Sequence, residues 1–320
     1  MKVSVVMAFR NAGAYLRDSI RSVLGQTYPN VELIVVDDGS TDESPQTAGS
    51  FGPVLTYVRQ ENRGASAARN EGVQRATGEY VTFFDGDDLM AADNIASQAD
   101  FIQRQPACSA VVNDYQTFTE QGDSAQTHFQ TCPSLERIGL EEFLLSGLEA
   151  RAILSEENFA ITNSILMRRD VLNRIGGFDK ELVIGEDWEL LYRAAIHGPI
   201  GLQRKVGCRK RVHESNLSTS SIAMHQGQLK SREKVLTYER DAGVRRKLRR
   251  YLGKLHLLIG ERRIGFENGR AVLDLIRSLA YVPFGEAHVT KLGKILLTLA
   301  GLRKPASQRS LPGLVADPER

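Results

Sequence analysis

Short apolar runs alternate with amphipathic segments in the first part of the chain. Val3 to Phe9, Val31 to Val36 and Tyr80 to Phe84 consist almost entirely of apolar or β-branched residues, which is typical of strands buried on both faces. Val54 to Val58 predicts a further, shorter strand. Between the first two strands, the apolar residues of Tyr15 to Leu24 recur at helical spacing. Strands that alternate with helices in this way predict an α/β fold with a mostly parallel central sheet flanked by helices.

The same alternation continues, less regularly, beyond the fourth strand. A polar stretch interrupts it and predicts a loop. The later predicted elements are helices at 65–76, 91–104, 168–175 and 187–196, strands at 108–118 and 159–167, and the loop at 120–134.

Two of the predicted strands end in clusters of aspartate. Asp37 and Asp38 follow the second strand, and Asp85, Asp87 and Asp88 follow the fourth. Because sheets of this kind bind ligands beyond the carboxyl ends of their strands, both clusters are predicted to face one crevice. Crowded carboxylates suit a hard divalent cation such as Mg²⁺ or Mn²⁺, which keeps coordination positions open for phosphates. Considered alone, the second cluster is explained equally well by an aspartate-glycine turn between a strand and a helix.

A further acidic pair, Glu186 and Asp187, opens the helix predicted at 187–196. The apolar residues that follow, including Trp188 and Leu191, keep helical spacing. Carboxylates at a helix N-terminus are stabilised by the unpaired amide groups and the helix dipole. For an isolated pair, helix capping would be the simpler interpretation.

Taken together, these blocks resemble a known family. Their residue types and their order are similar to those of the inverting nucleotide-sugar glycosyltransferases of family 2, which have the GT-A fold, and the resemblance covers about residues 1 to 220. Each block alone is a weak signal, but six in the family's order make chance a poor explanation. The blocks are Val3-Ser4-Val5-Val6 with Asn11, Val36-Asp37-Asp38-Gly39-Ser40-Thr41-Asp42, Asn62-Arg63-Gly64 with Ala68-Arg69-Asn70 and Gly72, Asp85-Gly86-Asp87-Asp88, Gly176-Gly177-Phe178-Asp179, and Gly185-Glu186-Asp187-Trp188.

The resemblance implies a site for the nucleotide of the sugar donor. Asp37 and Asp38 would hold the base, with Asp38 accepting the N–H of a uracil ring. Arg69 would lie beside the nucleotide, and Asp85 would bind its ribose. Ala8 would contact the nucleotide through its backbone, at a position where the family usually has proline.

The resemblance also implies a metal ion and a catalytic base. Asp87 would bind a divalent cation, Mn²⁺ or Mg²⁺, which clamps the diphosphate and neutralises the charge of this leaving group. Asp187 would take the proton from the acceptor hydroxyl, so that a single displacement inverts the anomeric configuration. A raised pKa would favour that role, because an ordinary carboxylate is a weak base.

Several neighbouring residues are expected to support these groups. Asp88, Glu186 and Trp188 adjoin them in the sequence. Arg211 and His213, with the run from Glu214 to Ser218, resemble a late element of the family that closes over the diphosphate. His213 is thus a second candidate metal ligand, although a lone histidine is more often an ordinary surface or core residue.

The last third of the chain differs in composition from the rest. Of the 320 residues, 201–320 contain 25 Lys and Arg against 10 Asp and Glu, whereas 1–200 contain 16 against 29, and the net charge is +2. Basic amphipathic helices are predicted at about 245–259, 271–282 and 289–302. Such helices either lie on an anionic membrane or pack on the catalytic domain or a second subunit of a homo-oligomer. Nucleic acid is disfavoured as a partner, because no recognised nucleic-acid module accompanies the charge.

Domain borders and location follow from the same features. We expect a GT-A catalytic domain at 1–220, a basic helical extension at 221–304 and a disordered tail at 305–320, which is rich in Pro and Ser. Three widely spaced cysteines offer no disulfide framework and indicate a reducing compartment. No export signal is recognised and no apolar run is long enough to span a bilayer. The protein is therefore expected in the cytoplasm, with peripheral contact at the inner face of the cell membrane.

These observations predict a metal-dependent inverting glycosyltransferase. It would move a sugar from a nucleotide diphosphate, with UDP favoured, to a glycan or lipid-linked acceptor, as in the synthesis of surface polysaccharides. A nucleotidyltransferase is an alternative, but residues 8–13 lack the glycine-rich, basic loop that would hold a triphosphate. An inactive scaffold that binds sugar nucleotides is the other alternative, and the presence of all three acidic groups together argues against it.

Overall fold

The structure is a computed structural model that describes residues 1–213, 221–265, 267–283 and 285–300. The chain divides into two compact units, Met1–Asn216 and Leu217–Arg320. The late run from Glu214 to Ser218 and the tail predicted at 305–320 lie outside the described residues. The predicted domain border at residue 220 stays a prediction, since residues 214–220 are not among the described residues.

Within the described residues, a sheet of ten strands forms the centre of the first unit. In chain order the strands are β1 (Val3–Phe9), β2 (Val31–Asp37), β3 (Thr56–Arg59), β4 (Tyr80–Asp85), β5 (Leu89–Met90), β6 (Ala110–Thr119), β7 (Gly122–Asp123), β8 (Glu142–Leu145), β9 (Ile165–Arg168) and β10 (Ile200–Arg211). Across the sheet they follow the order β3-β2-β1-β4-β9-β6-β10-β5, with β7 paired to β6 and β8 to β10.

Most of the long strands run in the same direction. β3, β2, β1 and β4 are parallel neighbours, and β6 and β10 form a second parallel pair. β9 runs antiparallel between β4 and β6, and the short strands β5, β7 and β8 are antiparallel additions. The predicted α/β fold with a mostly parallel central sheet is confirmed.

Helices connect the strands of the first unit. They are α1 (Leu16–Leu24), α2 (Ser44–Gly49), α3 (Ala65–Arg75), α4 (Asn94–Arg104), α5 (Pro133–Glu136), α6 (Gly147–Leu154), α7 (Arg169–Ile175) and α8 (Glu186–His197), with short 3-10 turns at Gly13–Tyr15, Gly52–Val54, Phe129–Thr131 and Thr162–Ser164. α3 packs closely on β1 at Gly72. A Cβ atom added to this glycine would lie only 2.3 Å from Cγ1 of Val6. Only glycine allows this approach.

Several strands and helices of the first unit were not predicted from the apolar pattern, namely α2, α5, α6, β5, β7, β8 and β10. Of these, β7 and the start of α5 lie in the stretch predicted as a loop at 120–134. In the second half of β10, basic residues interrupt the apolar ones. The strand predicted at 159–167 is wrong in its first part. Thr162–Ser164 forms a 3-10 turn there, and β9 begins only at Ile165.

The second unit is helical over its described residues. It contains α9 (Ser221–Tyr238), α10 (Ala242–Arg263), α11 (Asn268–Ser278) and α12 (Glu286–Leu299). The last three match the predicted basic helices, and Ala271, Leu275 and Ile295 take part in a small buried cluster among them. None of the described helices combines the length and the apolar character that crossing a membrane requires. The predicted helical extension is confirmed.

Candidate active site

The ends of β1, β2 and β4 lie side by side at one edge of the sheet. In the strand register, Ala8 lies opposite Asp85 and Phe9 lies opposite Asp37. The amide of Asp38 donates a hydrogen bond to the carbonyl of Phe9 at 2.9 Å. The two aspartate clusters, which are far apart in the sequence, therefore flank the end of the same strand.

Asp37 is fully buried and holds the loop that follows β2. One carboxylate oxygen accepts the amide N–H of Ser40 at 2.8 Å, and the other accepts the hydroxyl of Tyr57 at 2.9 Å. The guanidinium of Arg59 lies 3.6 Å from the same carboxylate. These contacts fix the shape of the loop.

Asp38 is 4% exposed and its carboxylate receives three hydrogen bonds. The donors are Nε2 of Gln60 at 2.6 Å and the amides of Arg63 at 2.9 Å and Gly64 at 2.8 Å. Gly64 immediately precedes α3 with a φ of 88°, so Asp38 fixes the entry to that helix. A carboxylate offers about four acceptor sites, and these donors occupy three of them.

The loop after β1 is joined to the loop after β2. The backbone amide of Asn11 donates a hydrogen bond to Oγ of Ser40 at 2.9 Å. The side-chain oxygen of Asn11 accepts a hydrogen bond from the amide of Thr41 at 2.8 Å. The amide of Gly13 donates to Asp42 at 3.0 Å. Asn11 has a φ of 52°, in the left-handed region that asparagine tolerates better than most residues. Residues of the second sequence block thus hold the first loop in place.

Arg69 on α3 joins two acidic groups of the site. Its guanidinium donates to Asp85 at 2.8 Å and to Glu186 at 2.9 Å, and the side chain is 6% exposed. The guanidinium also lies over the ring of Phe178, with Cζ of Arg69 5.2 Å from the ring centroid. Burial alone disfavours a charged guanidinium, yet the two carboxylates raise the pKa of Arg69 above its ordinary value. Arg69, Asp85 and Glu186 were identified as site residues from the sequence, but their contact with one another was not predicted.

Asp87 pairs with His213, which follows β10. The carboxylate lies 3.0 Å from Nε2 of the imidazole, and the ring centroid of His213 is 5.3 Å from that of Tyr15. Burial and the nearby charge of Asp85 raise the pKa of Asp87, while the contact with His213 acts in the opposite direction. The two residues predicted as metal ligands are therefore adjacent, although they are separated by most of the domain's sequence.

Asp88 is 2% exposed and fixes the backbone on both sides of the site. One oxygen accepts the amide of Arg211 at 2.6 Å, and the other accepts the side-chain amide of Asn163. Asn163 in turn accepts the amide of Asp85 at 2.9 Å. Burial and the charges of Asp87 and Asp85 raise the pKa of Asp88 well above its ordinary value. Asn163 belongs to no motif, and no sequence signal identifies it.

Arg211 lies at the end of β10, beside the acidic cluster. Its Nε donates to the carbonyl of Asp87 at 2.9 Å. Its guanidinium lies over the rings of Tyr15 and Phe118, at 4.4 and 4.5 Å from their centres. Aromatic faces attract a guanidinium in this geometry. The contacts of Arg211 with these two rings were not predicted from the sequence.

Glu186, Asp187 and Trp188 form the first turn of α8. The amide of Trp188 donates to the carboxylate of Asp187 at 2.6 Å, and its buried indole N–H donates to the carbonyl of Leu154 at 2.8 Å. Burial raises the pKa of Asp187, although the amide of Trp188 opposes the shift. Burial and the charge of Asp187 raise the pKa of Glu186 to about 7. Both carboxyl groups therefore hold protons more tightly than exposed ones would.

The fit of a divalent cation depends on Asp87 and His213. Among the described residues, no three or more His, Cys, Asp or Glu side chains are grouped so as to hold a metal ion by themselves. Asp87 and His213 nevertheless offer a carboxylate oxygen and an imidazole nitrogen 3.0 Å apart. Mg²⁺ commonly binds through one or two carboxylates and completes its coordination with water and substrate phosphates. The pair therefore fits a cation that binds together with a diphosphate.

Known proteins share parts of this sequence. The family model "Glycosyl transferase family 2" matches residues 4–176. An uncharacterized glycosyltransferase of Rickettsia conorii is 27% identical over 227 residues, which are 70% of this chain and 36% of that protein. TuaG of Bacillus subtilis, a putative teichuronic acid biosynthesis glycosyltransferase, is 34% identical over 125 residues, which are 38% of this chain and 49% of that protein. The match thus spans about a third of the first relative and about half of the second.

Solved structures with the same fold include complexes with nucleotide sugars. TarS of S. aureus in complex with UDP-GlcNAc has a TM-score of 0.68 at 18% identity, over 94% of this chain and 90% of that chain. The mannosyltransferase PcManGT from Pyrobaculum calidifontis, in complex with GDP-Man and Mn²⁺, has a TM-score of 0.60 at 19% identity, over 94% and 83%. At these identities the likeness establishes the fold alone. Because the family model covers more than half of the chain, this protein belongs to family 2 of the glycosyltransferases.

Proposed function

We propose that this protein is a metal-dependent inverting glycosyltransferase that moves a sugar from a UDP-sugar to a hydroxyl group of a glycan or lipid-linked acceptor. One observation carries the proposal: Arg69 bonds both Asp85 and Glu186. Asp85 belongs to the cluster expected to bind the donor, and Glu186 is the neighbour of the expected base, Asp187. Donor binding and acceptor activation would therefore take place within one connected site.

The nucleotide would bind at the ends of β1, β2 and β4. Asp38 accepts the N–H of the base with its remaining acceptor site, while Asp37 holds the loop that carries it. Asp85 binds the ribose, and Arg69 fixes the orientation of its carboxylate. Ala8, opposite Asp85 in the strand register, offers backbone groups. UDP is favoured over other nucleotides, and the TarS complex with UDP-GlcNAc supports this choice.

Asp87 and His213 would hold Mn²⁺ or Mg²⁺ together with the phosphates of the donor. When bound, the cation supplies positive charge that neutralises the diphosphate leaving group. Charge balance supports its presence. Three carboxylates interact with Arg69, and Asp87 lies close to one of them, so the group would repel a diphosphate that arrived without a cation. The structure of PcManGT with GDP-Man and Mn²⁺ supports the same choice.

Asp187 would act as the general base. One of its oxygens is oriented by the amide of Trp188, and the other accepts the proton of the attacking hydroxyl. The hydroxyl oxygen then forms a bond to the anomeric carbon as the bond to the diphosphate breaks, and the configuration is inverted. Burial raises the pKa of Asp187, which makes the carboxylate a stronger base than an exposed one. Glu186 and Arg211 support the acidic groups on either side.

The acceptor would be a growing glycan or a lipid-linked sugar of a surface polysaccharide. The name of the relative TuaG supports this class. The basic helices α10 to α12 would allow peripheral contact with the anionic inner face of the cell membrane, and a homo-oligomer is compatible with the same helices. Cys108, Cys132 and Cys208 are free and buried, in keeping with a cytoplasmic location.

A transfer assay tests this proposal. Release of UDP from UDP-sugars is measured with Mn²⁺ and with a chelator, and turnover is expected only with the metal. Asp187→Asn is expected to lower kcat by about 10²- to 10⁴-fold, the usual contribution of a general base, with little change in KM for the donor. Asp170→Asn, at an exposed carboxylate on α7, is the matched control and should keep full activity. Full activity of Asp187→Asn, or equal turnover with the chelator, would contradict the proposal.

A further inference from the structure

The second unit contains a cleft of about 530 Å³ with a strongly basic side. Four arginines of α10 line it, and the turn that follows α11 forms the opposite wall. The arginines are Arg245, Arg246, Arg249 and Arg250. The volume lies within the range of about 300 to 1,000 Å³ that is common for sites of small molecules.

The four guanidinium groups start from one face of α10. Positions 245 and 249, and likewise 246 and 250, are separated by four residues, so their side chains are neighbours on the helix surface. With a rise of about 1.5 Å per residue, the row extends about 7.5 Å along the helix axis. Like charges at this spacing repel one another and weaken the helix. The row is therefore better explained by an anionic ligand than by the needs of the helix.

Among the contacts of the described residues, one arginine of the row is anchored to the protein. Nη1 of Arg245 donates to the carbonyls of Leu236 and Glu239, both at 2.7 Å. The other three are exposed, and none of them forms an ion pair with an acid in the part of the chain that the structure describes. Within the described residues, their positive charge is therefore not neutralised by a direct ion pair.

The acids that border the cleft are already engaged. Asp241 caps α10 by accepting the amide of Val244 at 2.8 Å. Glu233 on α9 accepts the hydroxyl of Tyr281 at 3.3 Å. Neither contact involves the row of arginines. The four arginines outnumber these two carboxylates, so the cleft keeps a net positive charge.

The opposite wall is held firmly against α10. A Cβ atom at Gly253 would lie 2.7 Å from Cγ1 of Val282, so glycine allows the turn to approach the helix. The ring of Tyr281 stacks on His256 with centroids 5.7 Å apart and an interplanar angle of 16°. Together with Pro283, these residues give the cleft an aromatic and apolar side. The cleft is thus preformed, with one charged wall and one apolar wall.

We propose that this cleft binds a ligand that carries at least two phosphate groups. A guanidinium forms paired hydrogen bonds with phosphate oxygens, and one phosphate does not fill a row of this length. The apolar wall suits the organic part to which the phosphates are attached. Such a ligand is either a soluble diphosphate or the headgroup of a lipid. The site lies within the second unit and does not depend on the proposed catalytic reaction.

Binding of inorganic pyrophosphate, measured by calorimetry in the presence of a chelator, tests the proposal. Arg246→Gln/Arg250→Gln is compared with Lys254→Gln/Arg270→Gln, which removes the same charge from exposed positions of the same unit outside the cleft. Loss of one charged hydrogen bond weakens binding about tenfold or more, so the cleft variant should bind about a hundredfold more weakly than the control. Binding at any other site would be equal in both variants. Arg246→Lys/Arg250→Lys, which keeps the charge but loses the paired bonds, should fall between the two.

Vesicles separate the two sources of phosphate. Phosphatidylcholine vesicles with and without cardiolipin, whose headgroup carries two phosphates, are sedimented with each variant. Binding to cardiolipin vesicles that is lost in the cleft variant alone supports a lipid headgroup, even if free pyrophosphate binds weakly. Cleft-dependent binding of pyrophosphate without vesicle binding supports a soluble ligand. If neither probe distinguishes the cleft variant from the control, the proposal is wrong, and melting curves of the variants show whether each is folded.

Discussion

Replacing Glu186 by glutamine is expected to make the stability of the protein less dependent on pH. Burial and the charge of Asp187 raise the pKa of Glu186 to about 7, although Arg69 acts in the opposite direction. In the unfolded chain the pKa returns to its ordinary value of 4.5. Between these values the native state holds more protons than the unfolded state, so the free energy of unfolding falls as the pH rises.

The size of the effect follows from the pKa shift. One pKa unit corresponds to about 1.4 kcal/mol, so ionisation of Glu186 costs the native state about 3 kcal/mol above pH 7. Part of this cost is already present at pH 5, because it begins at the unfolded pKa. Glutamine has a similar shape and does not ionise. Between pH 5 and pH 8 the wild type should therefore lose about 2 to 3 kcal/mol of unfolding free energy relative to Glu186→Gln.

Urea unfolding at several pH values measures this difference. The free energy of unfolding is extrapolated to zero urea for the wild type and for Glu186→Gln at each pH. Glu120→Gln, at an exposed position after β6, is the control and should follow the wild type. The pKa of about 7 already includes the effect of the charged bond to Arg69, so the comparison needs no separate correction for that bond. Parallel curves for the wild type and Glu186→Gln would refute the reasoning, as would a variant that loses stability faster with rising pH.

Three further substitutions test the framework of the site. Gly72→Ala should lower the free energy of unfolding by about 1 to 3 kcal/mol in urea, because its Cβ would lie 2.3 Å from Val6; an unchanged midpoint would contradict this packing. Asp88→Ala should lower the free energy of unfolding by about 1 to 3 kcal/mol in the same measurement, since the amide of Arg211 loses its acceptor. A midpoint equal to that of the wild type would contradict this role of Asp88. Asp38→Ala should raise KM for the donor more than it lowers kcat, and an unchanged KM would remove Asp38 from the nucleotide site.

The parts of the fold that the sequence predicts are those with a local cause. β1 is buried at every position, and its predicted bounds, Val3 to Phe9, are the observed ones. β2 and β4 are nearly as uniform, so the acidic residues at their ends could be placed correctly at one edge of the sheet. Asp87 and His213 were both predicted as metal ligands, and the structure brings them together. For the strands the information lies in a short stretch of sequence, whereas the two metal ligands were expected from the family resemblance.

The contacts that were missed depend on how distant elements meet. Arg69 and Glu186 are 117 positions apart, and their bond requires α3 and the start of α8 to converge. Asn163 links Asp85 to Asp88 from a 3-10 turn that was predicted as strand. β10 has no continuous apolar run in its second half, so the strand that carries Arg211 was missed, although Arg211 itself was expected near the site from the family resemblance. Pattern and propensity describe single elements and not the way they pack.

The two arginines of the site differ in how their charge is balanced. Arg69 lies between Asp85 and Glu186, so its positive charge is offset by two carboxylates. Arg211 bonds the carbonyl of Asp87 and lies against aromatic rings, and no acid of the described residues pairs with its guanidinium. A diphosphate is attracted by positive charge that the protein has not already neutralised. We therefore propose that Arg211 is the better partner for the leaving group, and that Arg69 would affect the nucleotide indirectly, through the carboxylates that it holds in place.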